Sequence, residues 1–105
     1  MHKLKRKALE ADGWRVGTAK EFLRLSDEEA ALIDLKLALG RAVKERRTRQ
    51  RLSQAAVAAR IRSSQSRVAK MESGDSTVSI DLLVRTLLAL GASRRDLARS
   101  LGAPQ

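Results

Sequence analysis

Apolar side chains recur at Leu32, Leu35 (or Lys36), Leu39 and Val43. This i, i+3/4, i+7 spacing predicts the longest helix of the chain, over about 27–47. Ser26-Asp-Glu-Glu29 in front of it reads as a capping box, with hydroxyl and carboxylate each reaching a backbone N–H. Asp27, Glu28 and Glu29 lie in its first turn and Lys44, Arg46 and Arg47 in its last, as the helix dipole favours. Those carboxylates need no catalytic explanation. After a break at Gln50-Arg51-Leu52, Ser53 predicts an N-cap for a short helix over 54–61, with Ala55, Val57, Ala58 and Ile61 as its apolar positions. Arg62-Ser63-Ser64 is a tight connection, and Ser64 caps a second short helix over 65–72 that carries Val68 and Met71. Gly74 is placed to end it in the left-handed conformation. Ser79 caps 80–90, which Gly91 closes, and Ser93-Arg-Arg-Asp96 starts a last helix running to about 101.

The front of the chain reads differently. Residues 3–12 predict a short basic helix with Leu4, Ala8 and Ala11 on one side and Gly13 at its end. Gly13 and Gly17 bracket a turn at Trp14, Arg15 and Val16. A capping box, Thr18 to Glu21, then leads into Phe22, Leu23 and Leu25. No strand pattern with turn signals and no repeat is visible. The chain divides on this reading into an extension, 1–26, and a helical domain, 27–102.

Composition narrows the function. The chain has 105 residues, with 16 Leu and 16 Ala against six Val and three Ile, which favours helix over strand in one all-α domain. There is no cysteine, and the one histidine is His2, so disulfides, thiolate zinc sites and histidine-based triads are excluded or nearly so. No metal, cofactor or enzymatic activity is expected. No apolar run approaches the ~18 residues of a membrane span, and no signal-peptide core follows the start. A soluble cytoplasmic protein is expected. The 22 Lys+Arg exceed the 12 Asp+Glu by ten, so the partner expected first is nucleic acid, with an acidic protein or membrane surface second. Trp14 and Phe22 are the only aromatics, which argues against a single-strand binder that stacks bases.

Two helices of about eight residues, joined by a short turn at 52–74, suit a helix-turn-helix. Ser64, Gln65, Ser66, Arg67 and Lys70 would remain on the projecting side of the second. These are groups that pair with base edges: Gln with adenine, Lys or Arg with guanine, Ser with several. The alternative is a capping cluster on a solvated helix. Arg46, Arg49, Arg51 and Arg62 supply charge for phosphates, and Ser53 joins them at the helix start; the alternative there is a solvated face. The base-reading geometry requires the 65–72 helix to stand clear of its support, polar side outward; a buried helix, or serine and glutamine side chains occupied inside the protein, would exclude it. Leu83, Leu87 and Leu90 can fill a core, while Leu82, Val84 and Leu88 exceed one face and point to a twofold dimer. Closure by Leu97 and Leu101 of the last helix is the alternative.

Residues 52–74, with Leu-Ser-Gln, Ala58, Gln65-Ser66 and Met-Glu-x-Gly, resemble the Cro/CI-like (XRE) helix-turn-helix family. The resemblance implies a lambda-repressor-like five-helix DNA-binding domain, here with a short N-terminal helical extension. It implies a phosphate grip for Gln54 and a salt bridge between Arg47 and Glu72. It also implies glycine where Arg51 and Arg62 stand: either the turns differ or charge offsets the strain. The implied mode is a homodimer on an inverted-repeat operator. The run from Arg6 to Ser26, with Gly-Trp-x-Val-Gly-Thr and Glu-Phe-Leu, looks like the leader of HigA-type antitoxins, autorepressors that neutralise RelE/HigB-like ribonuclease toxins. Trp14, Val16, Phe22 and Leu23 would then contact the toxin. A basic chain is a poor electrostatic match for a basic toxin. The competing expectation is a stand-alone regulator of the phage-repressor type.

Overall fold

The computed structural model describes residues 26–102, and the expectations for 1–25, Trp14, Val16, Phe22 and Leu23 among them, lie outside these residues. Five helices follow one another there: α1 (Asp27–Arg49), α2 (Gln54–Arg60), α3 (Gln65–Ser73), α4 (Ile80–Ala89) and α5 (Arg94–Gly102). The described residues are helical without strands, as the apolar spacing predicts. The chain divides into two compact units, 1–34 and 35–105, with the division inside α1.

A serine begins every one of the five helices. In the first unit, Ser26 and Glu29 close the expected box: the Ser26 N–H donates to Glu29 Oε1 at 3.0 Å and the Glu29 N–H to Ser26 Oγ at 3.1 Å. In the second, the Oγ atoms of Ser53, Ser64 and Ser79 accept from the N–H groups of Ala56, Arg67 and Leu82. Ser93 and Asp96 form a second reciprocal box at α5. Each cap satisfies a donor the helix leaves orphaned, worth about 1 kcal/mol.

Four helices end alike. Two crossed backbone bonds pull the chain back at each end, Leu52 N–H to Arg47 and Arg51 N–H to Thr48 after α1, Ser63 to Ala58 and Arg62 to Ala59 after α2. Asp75 to Lys70 with Gly74 to Met71 repeats the pattern after α3, and Ala92 to Leu87 with Gly91 to Leu88 after α4. The motif needs a left-handed residue, and Arg51 (φ 60), Arg62 (φ 56), Gly74 (φ 81) and Gly91 (φ 92) supply it. The turns at Arg51 and Arg62 therefore keep the left-handed geometry in spite of a side chain.

Within the second unit, Leu39 and Val43 of α1, Val57 and Ala58 of α2, Val68 and Met71 of α3, and Leu83 and Leu87 of α4 form one buried cluster, with Val78, Leu90 and Ala92 from the connections. The α1 stripe gives the expected helix and is unevenly covered. Leu39 and Val43 are fully buried, whereas Leu32 and Leu35 are 44% and 36% exposed. On α2 and α3, Val57, Ala58, Val68 and Met71 are buried and Ile61 is half-buried, while Ala55 is exposed. The buried Thr86 hydroxyl donates to the Leu82 carbonyl at 2.8 Å. Gly40 is a feature that the periodicity does not reveal. A Cβ there would lie 2.2 Å from the Met71 carbonyl oxygen, so α1 and α3 cross backbone to backbone. Among the described residues no helix is long and apolar enough to cross a membrane.

Candidate nucleic-acid interface

Helix α3 turns Val68 and Met71 inward and leaves the opposite side to solvent. Ser64, Gln65, Ser66, Arg67 and Lys70 are all exposed. Their side chains are not all unengaged. Ser64 Oγ caps Arg67 and lies 3.3 Å from Ser66 Oγ, and one Gln65 N–H donates to Gln54 Oε1 at 2.7 Å. Gln65 keeps its second N–H and its carbonyl oxygen. A shallow pocket of about 350 Å³ runs beside the helix and brings Ser64, Ser66, Arg67 and Lys70 to Thr77 and Ser79 of the α3–α4 connection. Neither Thr77 nor Ser79 figures among the expected site residues. Asp75 organises that connection: Thr77 N–H donates to its Oδ1 at 2.8 Å, and hydrogen bonds from Thr77 hold the Asp75 carboxyl below its ordinary value. Lys36 ties it to α1 by donating to the Ser76 carbonyl at 3.0 Å.

Behind α3 lies an ion pair with excellent geometry. Arg47 Nε donates to Glu72 Oε2 at 2.6 Å and Nη2 to Oε1 at 3.0 Å, while Nη1 reaches the Leu52 carbonyl at 2.9 Å. The two side chains are only 14% and 5% exposed. Burial pushes the Glu72 carboxyl up, but hydrogen bonds from Arg47 and Gln54 and the charges of Arg47 and Lys44 outweigh it and leave it below its ordinary value. The hydrogen bond to Glu72 raises Arg47, against burial and with help from the carboxylate charge. The pair clamps the end of α3 to the end of α1, and removing one partner would strand a buried charge.

The residues expected at phosphates separate into two groups. Among the described residues the guanidinium groups of Arg49, Arg51 and Arg62 carry no hydrogen bond or ion pair. Arg51 and Arg62 flank α2, and Ser53, exposed, is its cap. Arg46 is spent inside the fold, 3.2 Å from Asp96 of α5. Arg46 and Arg49 line a different pocket, of about 410 Å³, with Asp96, Leu97 and Arg99. The Gln54 side chain is engaged at both ends, donating to Glu72 Oε1 at 3.0 Å as well as accepting from Gln65. The three candidates for a dimer face also diverge. Leu82 and Val84 pack partly against the core, and Leu82 borders the pocket beside α3, whereas Leu88 is 48% exposed.

Among the described residues no group of acidic, histidine or cysteine side chains is placed to hold a metal ion. In comparison with known families, residues 38–101 match the model of one described as a helix-turn-helix domain. No curated protein and no solved structure matches the chain.

Proposed function

The chain belongs to the helix-turn-helix domain family, and from that premise we propose that it is a sequence-specific DNA-binding regulator that represses transcription by occluding a promoter. The observation that carries this reading is the outer side of α3, where Ser64, Gln65, Ser66, Arg67 and Lys70 are exposed on a helix clamped from behind. On this proposal a homodimer sets two α3 helices in successive major grooves, about 34 Å apart, on an inverted repeat. Leu88 belongs to the dimer face, with Leu82 and Val84 at its margin. Gln65, Lys70 and Arg67 read bases, while Arg51, Arg62, Ser53 and Arg49 meet phosphates. The work is binding without catalysis, in the cytoplasm, and without a cofactor.

Binding to a selected operator and to random duplex DNA, measured across salt, tests the reading. Gln65→Ala or Lys70→Ala should cost about 1–3 kcal/mol on the operator and relax one base pair. Arg49→Ala should weaken all sequences alike and lower the salt slope by about one. Equal losses for Gln65→Ala on both DNAs contradict base reading.

The pattern at 6–26 supports a second part of the proposal, that the regulator is an antitoxin whose Trp14, Val16, Phe22 and Leu23 hold a RelE/HigB-like toxin. Co-expression with the product of the adjacent gene tests it. A stable complex and a rescued growth defect support the antitoxin; neither leaves a stand-alone regulator.

A further inference from the structure

A cleft of about 410 Å³ opens between α1, α4 and α5, all of it within residues 35–105. Of its lining, only Arg49 has a role in the function proposed above. We propose that the cleft binds a free α-amino acid with an apolar side chain, its carboxylate on Arg49, its ammonium on Glu45 and its side chain against the apolar lining.

The space is left because α5 sits off the core. None of its nine residues is buried, and Leu97 packs only in part against the buried cluster. The residues that α1 and the α4–α5 connection bring to the cleft, Ala42 and Ala92, are short, and α4 adds the buried Leu87. With Leu97 these make an apolar lining with room for a side chain such as that of leucine or methionine. Pockets for small molecules begin at about 300 Å³.

The charges around the cleft differ in what they have left to offer. Asp96 is taken up: its carboxylate accepts from the Ser93 N–H at 2.8 Å and from Arg99 at 2.7 Å, and it lies 3.2 Å from Arg46. Glu45 and Arg49 are not. Among the described residues neither side chain has a hydrogen bond or an ion pair, although a carboxylate four positions before a cation is the favoured order for pairing on a helix. Residues at that spacing have Cβ atoms about 5–6 Å apart. An ammonium and a carboxylate carried on one carbon can bridge such a gap. The ammonium only donates, as Glu45 requires, and the carboxylate only accepts, as Arg49 requires. A plain organic anion would face Glu45 without a counter-charge, and an amine would leave Arg49 in the same state. The zwitterion answers both.

This site rests on α1, α4 and α5 and does not depend on α3 reading DNA. Its effect on DNA does rest on the phosphate role given to Arg49. A ligand carboxylate withdraws that charge, so the loaded protein binds every DNA sequence more weakly.

The test uses the full chain with L-leucine and L-methionine as probes. Beside them stand glycine, N-acetyl-L-leucine and L-leucinamide, which lack the side chain, the ammonium and the carboxylate in turn. Leucine or methionine should shift the backbone amide NMR signals of Ala42, Leu87, Ala92 and Leu97. The three reduced probes should bind about tenfold more weakly or worse, the effect of losing apolar contact or a charge-assisted hydrogen bond. Glu45→Gln and Arg49→Gln, both at exposed positions of α1, should each weaken leucine binding by about tenfold. Ala42→Leu, which fills the cleft, should abolish it, and Arg60→Gln, exposed on α2 outside the cleft, should not change it. No shift at the four positions with about 10 mM of either amino acid, ten times a millimolar Kd, overturns the proposal. N-acetyl-L-leucine binding as tightly as leucine overturns it too, since the cleft would then be a plain anion site, as does leucine binding unimpaired in both glutamine variants. Saturating leucine should also lower the salt slope of DNA binding by about one in wild type and not in Arg49→Gln. A wild-type slope that leucine leaves unchanged, with the cleft occupied, overturns the effect on DNA and leaves the site. If the chain binds no DNA, the regulator reading falls, and the amide shifts still decide the site.

Discussion

Two helix ends carry glycine and two carry arginine, on the same left-handed backbone. At Gly74 the surroundings account for the choice in part, because a Cβ would lie 2.4 Å from Leu37 Cδ2. At Gly91 nothing stands within 4 Å, and the glycine answers to φ alone. Arg51 and Arg62 face the same φ requirement, at 60° and 56°, and meet it with a side chain. A Cβ in that conformation costs about 1–2 kcal/mol. The contrast teaches that these arginines stand where backbone preference alone would place glycine. Both are exposed and flank α2, and among the described residues neither side chain has a hydrogen-bond or ion-pair partner; on the proposed function, bound DNA supplies one. Phosphate oxygens suit that role.

Substitution at the glycine ends is the strongest way to break the contrast. Gly74→Ala should destabilise by about 1–2 kcal/mol, chiefly from backbone strain, since the exposed Leu37 side chain can swing aside. Gly91→Ala should cost about 1 kcal/mol, from strain alone. If thermal melting leaves Gly91→Ala unchanged, the strain attributed to Arg51 and Arg62 is also absent. The arginine ends give a smaller effect of opposite sign. Arg51→Gly and Arg62→Gly should each stabilise by about 0.5–1 kcal/mol, because relief of strain exceeds the entropy glycine brings to the unfolded chain. For a domain this small that raises the melting temperature by a few degrees. Each should also weaken DNA binding on every sequence and lower the salt slope by about one. A stabilised variant that binds DNA undiminished would show that the charge serves another purpose.

The smallest effect separates helix starts from helix ends. The N–H and hydroxyl of Ser93, with Arg99 and Arg46, hold the Asp96 carboxyl at about 2. Its folded value lies below its unfolded one, so its contribution is complete above about pH 4 and is lost as pH falls through about 2. Glu72, also lowered, acts in the same direction. Melting temperature should therefore drop between pH 4 and pH 2, and less in Asp96→Asn. The ends are made of backbone and do not titrate, so the gain from Arg62→Gly should be equal at pH 7 and pH 4.

Most of the helix boundaries were legible because they are local events. Ser26, Ser53, Ser64, Ser79 and Ser93 each cap within three residues, and Gly74 and Gly91 end helices within one turn. The buried positions of α2 and α3 followed from the period, except that Ala55 is exposed. The α1 spacing predicted its helix, but a period gives a face and not how far along the helix that face is covered, and Leu32 and Leu35 are exposed. The site was legible as a set of exposed groups on α3 and illegible as a network. Gln54 meets Glu72 across 18 positions and Gln65 across 11, and Arg46 meets Asp96 across 50. No local pattern encodes those meetings. Thr77 and Ser79 were within reach, since Asp75-x-Thr77 before a serine cap is a readable turn, but its position beside α3 is tertiary.

The bare crossing at Gly40 bears on how such a protein acquires a new target. With the Met71 carbonyl close against Gly40 of α1, there is no side chain between the two backbones to absorb a shift of α3 toward α1. If α3 reads DNA as proposed, new preferences are expected from exchanging its outer side chains rather than from tilting it toward α1, which keeps each change local and leaves the mounting intact.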